Sequence, residues 1–350
     1  MMKYSIDMDG KGTIGKSLCF LTRRNFLKAL GAGSAAISAG IFFGRLNCAI
    51  ENKAESFIAS VSGYGIDLSQ QIIRGLKELG VKPFDVKDKK ILLKPNLVEP
   101  YRQIEHINTH PLVVRGAVEA FLSLGASEVL VAEGSGHRRD SLLVLEESGL
   151  ADVLFEDKIR FIDLNDSSVI KVKNQGNTSR LSDLYFPEEI LKADLIVSIA
   201  KMKTHHWAGV TLSMKNLFGV MPGIVYGWPK NVLHWAGLQE CIFDITATLK
   251  PHLAIVDGVV GMEGDGPIMG TPVQSNVIVI GKNLPAVDAT CARIMGIDPE
   301  KISYVQNASG RIGSIKESSI EQRGESIQAV RTNYKLLDYI PAQKDIRLGV

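Results

Sequence analysis

Cysteine is scarce in this chain, which has four among 350 residues. Cys19 and Cys48 lie in a basic N-terminal segment, so Cys241 and Cys291 remain for the folded part. Two distant cysteines cannot form a four-cysteine cluster or zinc site, so an iron–sulfur cofactor is not expected. Both lie in apolar stretches with helical spacing, and we expect buried thiols there.

Several signatures of common enzyme classes are also missing. The sequence has no Walker lysine motif, no Gly-x-Ser-x-Gly elbow and no His-Glu-x-x-His pair, and Gly134-Ser135-Gly136 is too short for a dinucleotide fingerprint. Basic residues are concentrated at the N-terminus: seven basic and two acidic residues among 1–49 give +5, which leaves −3 of the net +2 for the rest. Without a clustered basic face, a nucleic-acid partner is not expected.

The N-terminal segment has the pattern of an export signal. Residues Thr22-Arg23-Arg24-Asn25-Phe26-Leu27-Lys28 resemble the twin-arginine motif, and Ala29–Gly44 follow without a charge. Sixteen residues are fewer than the about 20 that span a membrane, but they suit a signal h-region. We therefore predict a twin-arginine signal segment over 1–49 and a periplasmic location. An N-terminal helix of the fold, or an uncleaved leader that supplies the protein's membrane contact, are the alternatives.

Beyond residue 55, short apolar runs alternate with amphipathic segments. This alternation predicts an α/β fold with a largely parallel sheet and helices on both faces. We expect one domain over 55–350, and a polar seam near 175–190 allows two lobes, 55–185 and 186–350. The predicted strands are 57–61, 90–94, 129–132, 159–162, 195–199, 253–256 and 277–280, and the predicted helices are 67–79, 111–124, 238–249 and 285–295.

Polar clusters follow four of the predicted strands directly. In parallel sheets ligands bind at the carboxyl ends of the strands, so these clusters should line one crevice. Lys201 and Lys203 would share a face of an extended segment and suit a small anion. Any one cluster can be an ordinary solvated loop, but four together predict a site. The clusters contain Lys94 and Asn96; Glu133, His137 and Arg138; Lys201, Lys203 and His205; Asp257 and Asp265.

These stretches resemble a bacterial and archaeal family called domain of unknown function 362. Many of its members carry ferredoxin-type cysteine clusters, which this chain lacks, and the resemblance implies a fold but no assigned activity. The matching pieces run in order from about residue 90 to 300: Leu93-Lys94-Pro95-Asn96-Leu97, Thr109-His110-Pro111, Lys201-Met202-Lys203-Thr204-His205, Thr211-Leu212-Ser213-Met214-Lys215-Asn216-Leu217-Phe218-Gly219, Asp257-Gly258, Gly264-Asp265-Gly266-Pro267 and Ala286-Val287-Asp288-Ala289.

A second resemblance, to nickel-dependent lactate racemases, covers residues 205–234. It implies that His205 is a catalytic histidine, that Lys215 tethers a nickel pincer cofactor and that His234 binds the metal. Gly136-His137-Arg138 is similar to the pair that supplies a second acid/base histidine. The chain departs from that pattern where Ser213-Met214 replace paired glycines.

Two functions from different classes fit these residues. The first is an enzyme of acid/base chemistry on a small anionic, carboxylate or hydroxy-acid-like substrate. Histidine suits proton exchange because its ordinary pKa lies near 6.5, and a divalent transition metal would polarise the substrate oxygen. The second is a non-catalytic protein that binds a metal or cofactor or serves a redox complex. The predicted residues are His137, His205 and Lys215 for catalysis; Lys94, Asn96, Glu133, Arg138, Lys201, Lys203 and Asn216 for substrate; and His234, Asp257 and Asp265 for metal.

Overall fold

The computed structural model describes residues 53–136 and 140–349. The predicted signal segment, 1–49, lies outside these ranges, as do His137 and Arg138. Within them, none of the helices has the length and apolar character that crossing a bilayer requires.

The described chain alternates strands with helices from its first strand onward. The strands are β1 Ala54–Ser60, β2 Lys90–Pro95, β3 Glu128–Glu133, β4 Phe161–Asp163, β5 Val169–Lys173, β6 Asp183–Pro187, β7 Leu195–His205, β8 Gly209–Thr211, β9 Leu253–Glu263, β10 Thr271–Gly281 and β11 Ile320–Gly324. The α-helices are α1 Leu68–Glu78, α2 Pro83–Val86, α3 Pro111–Ser123, α4 Ser141–Glu147, α5 Leu150–Glu156, α6 Glu188–Leu191, α7 Ser213–Asn216, α8 Gly223–Tyr226, α9 Asn231–Leu249, α10 Leu284–Ile294, α11 Ser303–Ala308 and α12 Ile327–Val330, with 3₁₀ turns at Leu217–Val220, Pro299–Lys301, Glu317–Ser319 and Pro341–Gln343.

Nine of these strands form one sheet in the order β11-β1-β10-β9-β7-β2-β3-β4, with β8 paired to β7. β9, β7, β2, β3 and β4 are parallel neighbours, and β11 is parallel to β1. β10 is antiparallel to both its neighbours and β8 is antiparallel to β7. The prediction of a largely parallel sheet is confirmed. Strands from both sides of residue 185 share this sheet, while β5 and β6 pair separately.

Each face of the sheet buries its own hydrophobic core. Successive side chains of a strand point to opposite faces; thus Leu92 belongs to one core and Leu93 to the other. Helices α7, α9, α10 and α11 pack on the first face, and α1, α3, α4 and α5 pack on the second. Helices on both faces, as predicted from the alternation of apolar runs with amphipathic segments, are therefore confirmed.

The order of the parallel strands determines where the polar clusters meet. β9, β7, β2 and β3 are consecutive neighbours that run in one direction, so their carboxyl ends lie along one edge. β7 and β9 each run for 11 residues, well beyond the predicted 195–199 and 253–256. Their extensions carry polar side chains past the apolar core at this edge.

Candidate functional site

A cavity of about 110 Å³, open to solvent, lies at the carboxyl ends of β2, β3 and β7. It brings together most of the predicted substrate and catalytic residues that the structure describes. Four lysines line it, against a single carboxylate among the described lining residues, so its charge favours an anion. The lining residues are Lys94, Asn96, Leu97, Val98, Glu133, Gly134, Gly136, Lys203, His205, His206, Trp207, Thr211, Lys215, Asn216, Phe218, Gly219, Pro229, Lys230, His234 and Pro267.

A buried ion pair forms one wall. Lys94 Nζ at the end of β2 donates to Glu133 Oε2 at the end of β3, at 2.5 Å, and to Asn216 Oδ1 at 2.9 Å. Asn216 Nδ2 donates in turn to Lys94 O at 3.0 Å. A Cβ at Gly219 would lie 1.8 Å from Glu133 Oε1, so the backbone can approach the pair this closely only at a glycine. Lys94, Glu133 and Asn216 thus hold one another, and Lys94 is already neutralised.

Lys203 differs because its charge meets carbonyl oxygens instead of a carboxylate. Its Nζ donates to Ile107 O at 2.8 Å and to Pro267 O at 3.3 Å, and the side chain is fully buried. Burial lowers the pKa of Lys203 well below its ordinary value, and the neighbouring lysines lower it further. An anion in the cavity would relieve this cost directly.

Lys215 sits on α7, a single helical turn that Asp288 fixes from α10. Ser213 N–H and Oγ–H donate to Asp288 Oδ1 at 2.8 and 2.5 Å, and Met214 N–H donates to Oδ2 at 3.1 Å. A carboxylate that accepts the first N–H groups of a helix satisfies donors that have no partner within the helix. Asp288 therefore sets the position of the turn that carries Lys215 and Asn216.

The Lys215 amine has an apolar neighbour. Its Nζ lies 4.1 Å from the centroid of the Phe218 ring, and within the described ranges it has no hydrogen-bond partner. Burial lowers the pKa of Lys215 to about 7, with a further contribution from Lys94. A large share of these side chains is therefore neutral at pH 7, and the amine can act as a base or nucleophile.

His205 ends β7 with a defined tautomer. Its Nδ1 accepts from Trp207 N–H at 3.0 Å and from Ala208 N–H at 3.2 Å. The ring proton of neutral His205 is therefore on Nε2, since the hydrogen bonds of one nitrogen fix the proton on the other. Burial, followed by the nearby Lys215, lowers the pKa of His205 well below its ordinary value. His205 is a neutral hydrogen-bond donor through Nε2, which does not suit the proton-accepting role expected from the sequence.

His234, on α9, has the opposite tautomer. Its Nδ1 is 3.0 Å from Lys230 O, a carbonyl that can only accept, so the neutral ring carries its lone pair on Nε2. The His234 ring packs edge-on against Phe218, with 5.5 Å between the centroids. Lys215 and His234, the two residues that the racemase resemblance couples to a cofactor, therefore contact the same phenyl ring.

Two buried polar atoms in the cavity wall have no partner among the described residues: Asn96 Oδ1 and Thr211 Oγ1. Asn96 is 8% exposed and Thr211 is 4% exposed. A buried polar atom without a hydrogen bond costs about 1–3 kcal/mol, so each such atom in a native protein needs an explanation. A water molecule, or a ligand that carries a hydroxyl group, could form hydrogen bonds with both atoms.

Lys201 and Asp257 do not reach this cavity. Lys201 Nζ donates to Asp257 Oδ2 at 2.7 Å and to Tyr64 OH at 3.0 Å, and both members of the ion pair are fully buried. Tyr64 stacks on His110, with 3.6 Å between the ring centroids. β7 shifts register against β9 between Lys201 and Lys203, so the two lysines have different surroundings. The substrate role expected of Lys201 is replaced by a structural ion pair.

The three predicted metal ligands are not assembled. His234 lines the cavity, Asp257 is held by Lys201, and Asp265 lies 4.0 Å from His206 Nδ1 at a half-exposed position. Across the ranges that the structure describes, no group of three or more histidine, cysteine or acidic side chains could hold a metal ion. The described side chains of this triad are therefore not brought together, and a metal bound through His234 and non-protein ligands would be a different site.

Sequence reasoning missed several residues of the site. Lys230 lies in a loop with a positive φ of 69°, and its Nζ donates to Asn165 Oδ1 at 2.5 Å and to Met221 O. Burial lowers the pKa of Lys230 to about 8. Thr211 and Asp288 lie within the matched motifs and were available signals. Lys230 had none, because nothing in Trp228-Pro229-Lys230 predicts a buried amine.

Comparison with known proteins gives a family and a distant set of relatives. The model of the family described as "Domain of unknown function (DUF362)" matches residues 91–293. A thylakoid-associated protein, sll1697, of Synechocystis sp. is 27% identical over 239 residues, which cover 67% of this chain and 70% of that protein.

Two solved structures align weakly. The lactate racemase apoprotein of Thermoanaerobacterium thermosaccharolyticum aligns with a TM-score of 0.41 and 15% identity, over 70% of this chain and 57% of that one. A Thermotoga maritima protein aligns with a TM-score of 0.35 and 14% identity, over 64% and 57%. The chain thus spans little more than half the length of either. The racemase is the neighbour that the sequence resemblance predicted, but likeness at this level says nothing about what the chain binds.

Proposed function

Since the chain belongs to the DUF362 family, whose name records no activity, we propose a function from its cavity: an enzyme that binds a small carboxylate-bearing substrate and moves protons on it. One observation carries the proposal. The Lys215 amine stands in a cavity with three other lysines and, among the described lining residues, a single carboxylate. That carboxylate, Glu133, is already committed to Lys94.

Binding would rest on the positive charge that Glu133 does not neutralise. Lys203 is fully buried against carbonyl oxygens, and an anion beside it would recover much of the cost of burying its charge. Thr211 Oγ1 can donate to a carboxylate, and Asn96 Oδ1 can accept from a substrate hydroxyl. This combination suits a small hydroxy acid or a related anion.

Proton transfer would rest on Lys215 and His205. A general base works best when its pKa lies near the working pH, which is the case for Lys215 at about 7. His205 Nε2–H would donate to the substrate oxygen on which negative charge develops, in the manner of an oxyanion hole. Lys215 thus takes the place of His205 as the proton acceptor, while the role predicted for His137 concerns a residue outside the described ranges.

A tethered cofactor is the second candidate. Lys215 and His234 lie on the same Phe218 ring, and a His234 Nε2 lone pair is the form that binds metals. These two residues fit the tether and the ligand that the racemase resemblance implies. When bound, such a group would supply Lewis-acid and redox chemistry beside Lys203 and His205.

The location belongs to the proposal as well. The twin-arginine pattern at Thr22–Lys28 supports export to the periplasm. The thylakoid-associated relative supports a place at or near a membrane. Replacing Arg23 and Arg24 together by lysine should trap the protein in the cytoplasm of a fractionated cell; unchanged export would refute this location.

The direct test of catalysis is hydrogen exchange into small acids in deuterated water. Incubation with a panel of 2-hydroxy and 2-oxo acids, followed by NMR, detects deuterium at the carbon next to the carboxylate or carbonyl. We expect exchange with the wild type, none with Lys215→Met, and full exchange with Lys77→Met. Lys77 is an exposed residue on α1 that does not line the cavity. Binding without exchange across the panel would favour the non-catalytic alternative.

A further inference from the structure

We propose that Lys215 is a nucleophile that forms an imine with the carbonyl group of a small 2-oxo acid. This inference rests on the proposed function, because the same cavity must first hold the carboxylate. It names the substrate class and the covalent intermediate that the cavity's lysines favour.

The four lysines of the cavity are not equivalent. Lys94 donates to a carboxylate, an amide and a carbonyl; Lys203 donates to two carbonyls; and Lys230 donates to Asn165 and Met221 O. An amine that already donates to two or three acceptors is held in place by them and is less available to attack a carbonyl carbon. Of the four, Lys215 is the one whose Nζ has no such acceptor in the described part of the chain.

The surroundings of Lys215 favour its neutral form for two reasons. Burial removes hydration that an ammonium needs, and the face of the Phe218 ring, 4.1 Å from Nζ, attracts a cation but accepts no conventional hydrogen bond in its place. The Lys94 ammonium is close enough to oppose a second positive charge. Lysines that form imines are activated by the same two features, an apolar neighbour and a nearby cation. Asp288 fixes the turn below the amine, so the nucleophile is also held in place.

The rest of the cavity determines what such an amine would attack. A carboxylate would bind beside Lys203, and a carbonyl oxygen would accept from His205 Nε2–H. A 2-oxo acid presents both groups on adjacent carbons. A protonated imine withdraws electrons and acidifies the neighbouring C–H bonds, so with a 2-oxo acid Lys215 would serve as the electron sink, and its role as a base would apply to substrates without a carbonyl group.

The step balances without an oxidant or a reductant. The neutral amine adds to the carbonyl carbon, the C=O π bond breaks, and one N–H proton passes to the oxygen. The carbinolamine then takes up one proton on its hydroxyl group and loses water, which leaves a protonated imine. Hydrolysis by one water molecule reverses the sequence and returns Lys215.

Reductive trapping tests the inference on the full folded protein. Pyruvate and sodium borohydride are added together, and the product is examined by intact mass and peptide mapping. We expect one adduct, with the mass of pyruvate less one water plus two hydrogens, on the peptide that contains Lys215. Lactate, which lacks the carbonyl group, should give none, and Lys77→Met should be trapped like the wild type.

Lys215→Arg keeps a positive charge but removes the nucleophile. We expect it to retain its melting temperature and to bind lactate in calorimetry, while its adduct falls at least about tenfold, to the level of surface lysines. An equal adduct yield in Lys215→Arg and wild type would overturn the inference. So would a protein that arrives from purification with a mass addition already on Lys215, because that is the result of a tethered cofactor.

The two proposals fail in different ways. If lactate and pyruvate both bind but borohydride traps nothing, the imine is wrong and the carboxylate site stands. If neither lactate nor pyruvate binds to a folded, unmodified protein, the proposed function is wrong, and the imine proposal is then wrong as well.

Discussion

Replacing Glu133 by glutamine should destabilise the protein strongly, because it leaves the buried Lys94 ammonium without its counterion. The two side chains are 2% and 1% exposed, and their charged atoms are 2.5 Å apart. Glu133 also accepts from Leu97 N–H at 3.3 Å and Gly134 N–H at 2.9 Å, so a glutamine NH₂ group would face donors.

Breaking one side of a buried ion pair costs about 3–5 kcal/mol. At about 2 °C per kcal/mol for a chain of this size, the melting temperature should fall by about 6–10 °C. Glu128→Gln is the matched control on the same strand. Glu128 is 43% exposed and lies 3.4 Å from Lys90 Nζ, so its removal should cost less than about 1 kcal/mol.

The pH dependence of this deficit checks its cause. Burial lowers the pKa of Lys94, and Glu133 opposes that shift. Without Glu133, the folded protein should release the Lys94 proton at a lower pH, while the unfolded chain keeps its proton. The unfolded state then binds more protons, so the stability of the variant should rise with pH and its deficit should shrink as the pH approaches the ordinary pKa of lysine. Thermal melts at several pH values measure this. A deficit no larger than that of Glu128→Gln, or one that grows with pH, would refute the reasoning.

Three further predictions address the site itself. His205→Gln, which can still donate through its amide, should keep at least about a tenth of the exchange activity that His205→Ala loses, because an oxyanion donor contributes about 10²–10³-fold; equal loss in both variants would contradict a donor role. Gly219→Ala should lower the melting temperature and weaken lactate binding, since its Cβ would lie 1.8 Å from Glu133 Oε1. A variant indistinguishable from wild type would show that the backbone at residue 219 can shift without disturbing the Lys94–Glu133 ion pair. Asp288→Asn should leave lactate binding within about threefold while slowing pyruvate trapping about tenfold or more, because the turn below Lys215 loosens; a change in stability alone, with an unaltered trapping rate and pH profile, would make Asp288 merely structural.

Most of the fold could be predicted from the sequence, because the local patterns of apolar residues, proline and glycine agree with the helices and strands that form. The helix at 111–124 is found as Pro111–Ser123, since proline at the first turn and glycine after the last define both ends. The antiparallel direction of β10 was not readable: Val277–Ile280 is a continuous apolar run that looks the same in either direction. β9 also continues through Gly258 and Gly261, beyond the predicted strand 253–256.

The sequence predicted those parts of the site that follow from the rule that ligands bind at the carboxyl ends of parallel strands. Lys94, Glu133, Lys203 and His205 meet in the cavity because their strands are neighbours in the sheet. The rule fails for Lys201, because the register shift between Lys201 and Lys203 depends on β9, a strand 50 residues further on. The tautomer of His205 and the unpartnered oxygen of Asn96 could not be predicted from the sequence, because both depend on which groups the fold places beside these side chains.

The most direct test of the central claim is the affinity of the wild-type protein for lactate as a function of pH, measured by calorimetry. Lactate stays fully charged from about pH 6 to 9, so a change in affinity reports the protein's own protons. Because a carboxylate bound beside Lys203 would raise the pKa of the nearby Lys215 amine above its value of about 7, Lys215 should take up a proton on binding, and affinity should fall by up to about tenfold per unit above pH 7. Binding should be accompanied by proton uptake, and Lys215→Met should abolish this pH dependence. Affinity that is constant over this range, or no binding at all, would contradict a carboxylate site built on these lysines.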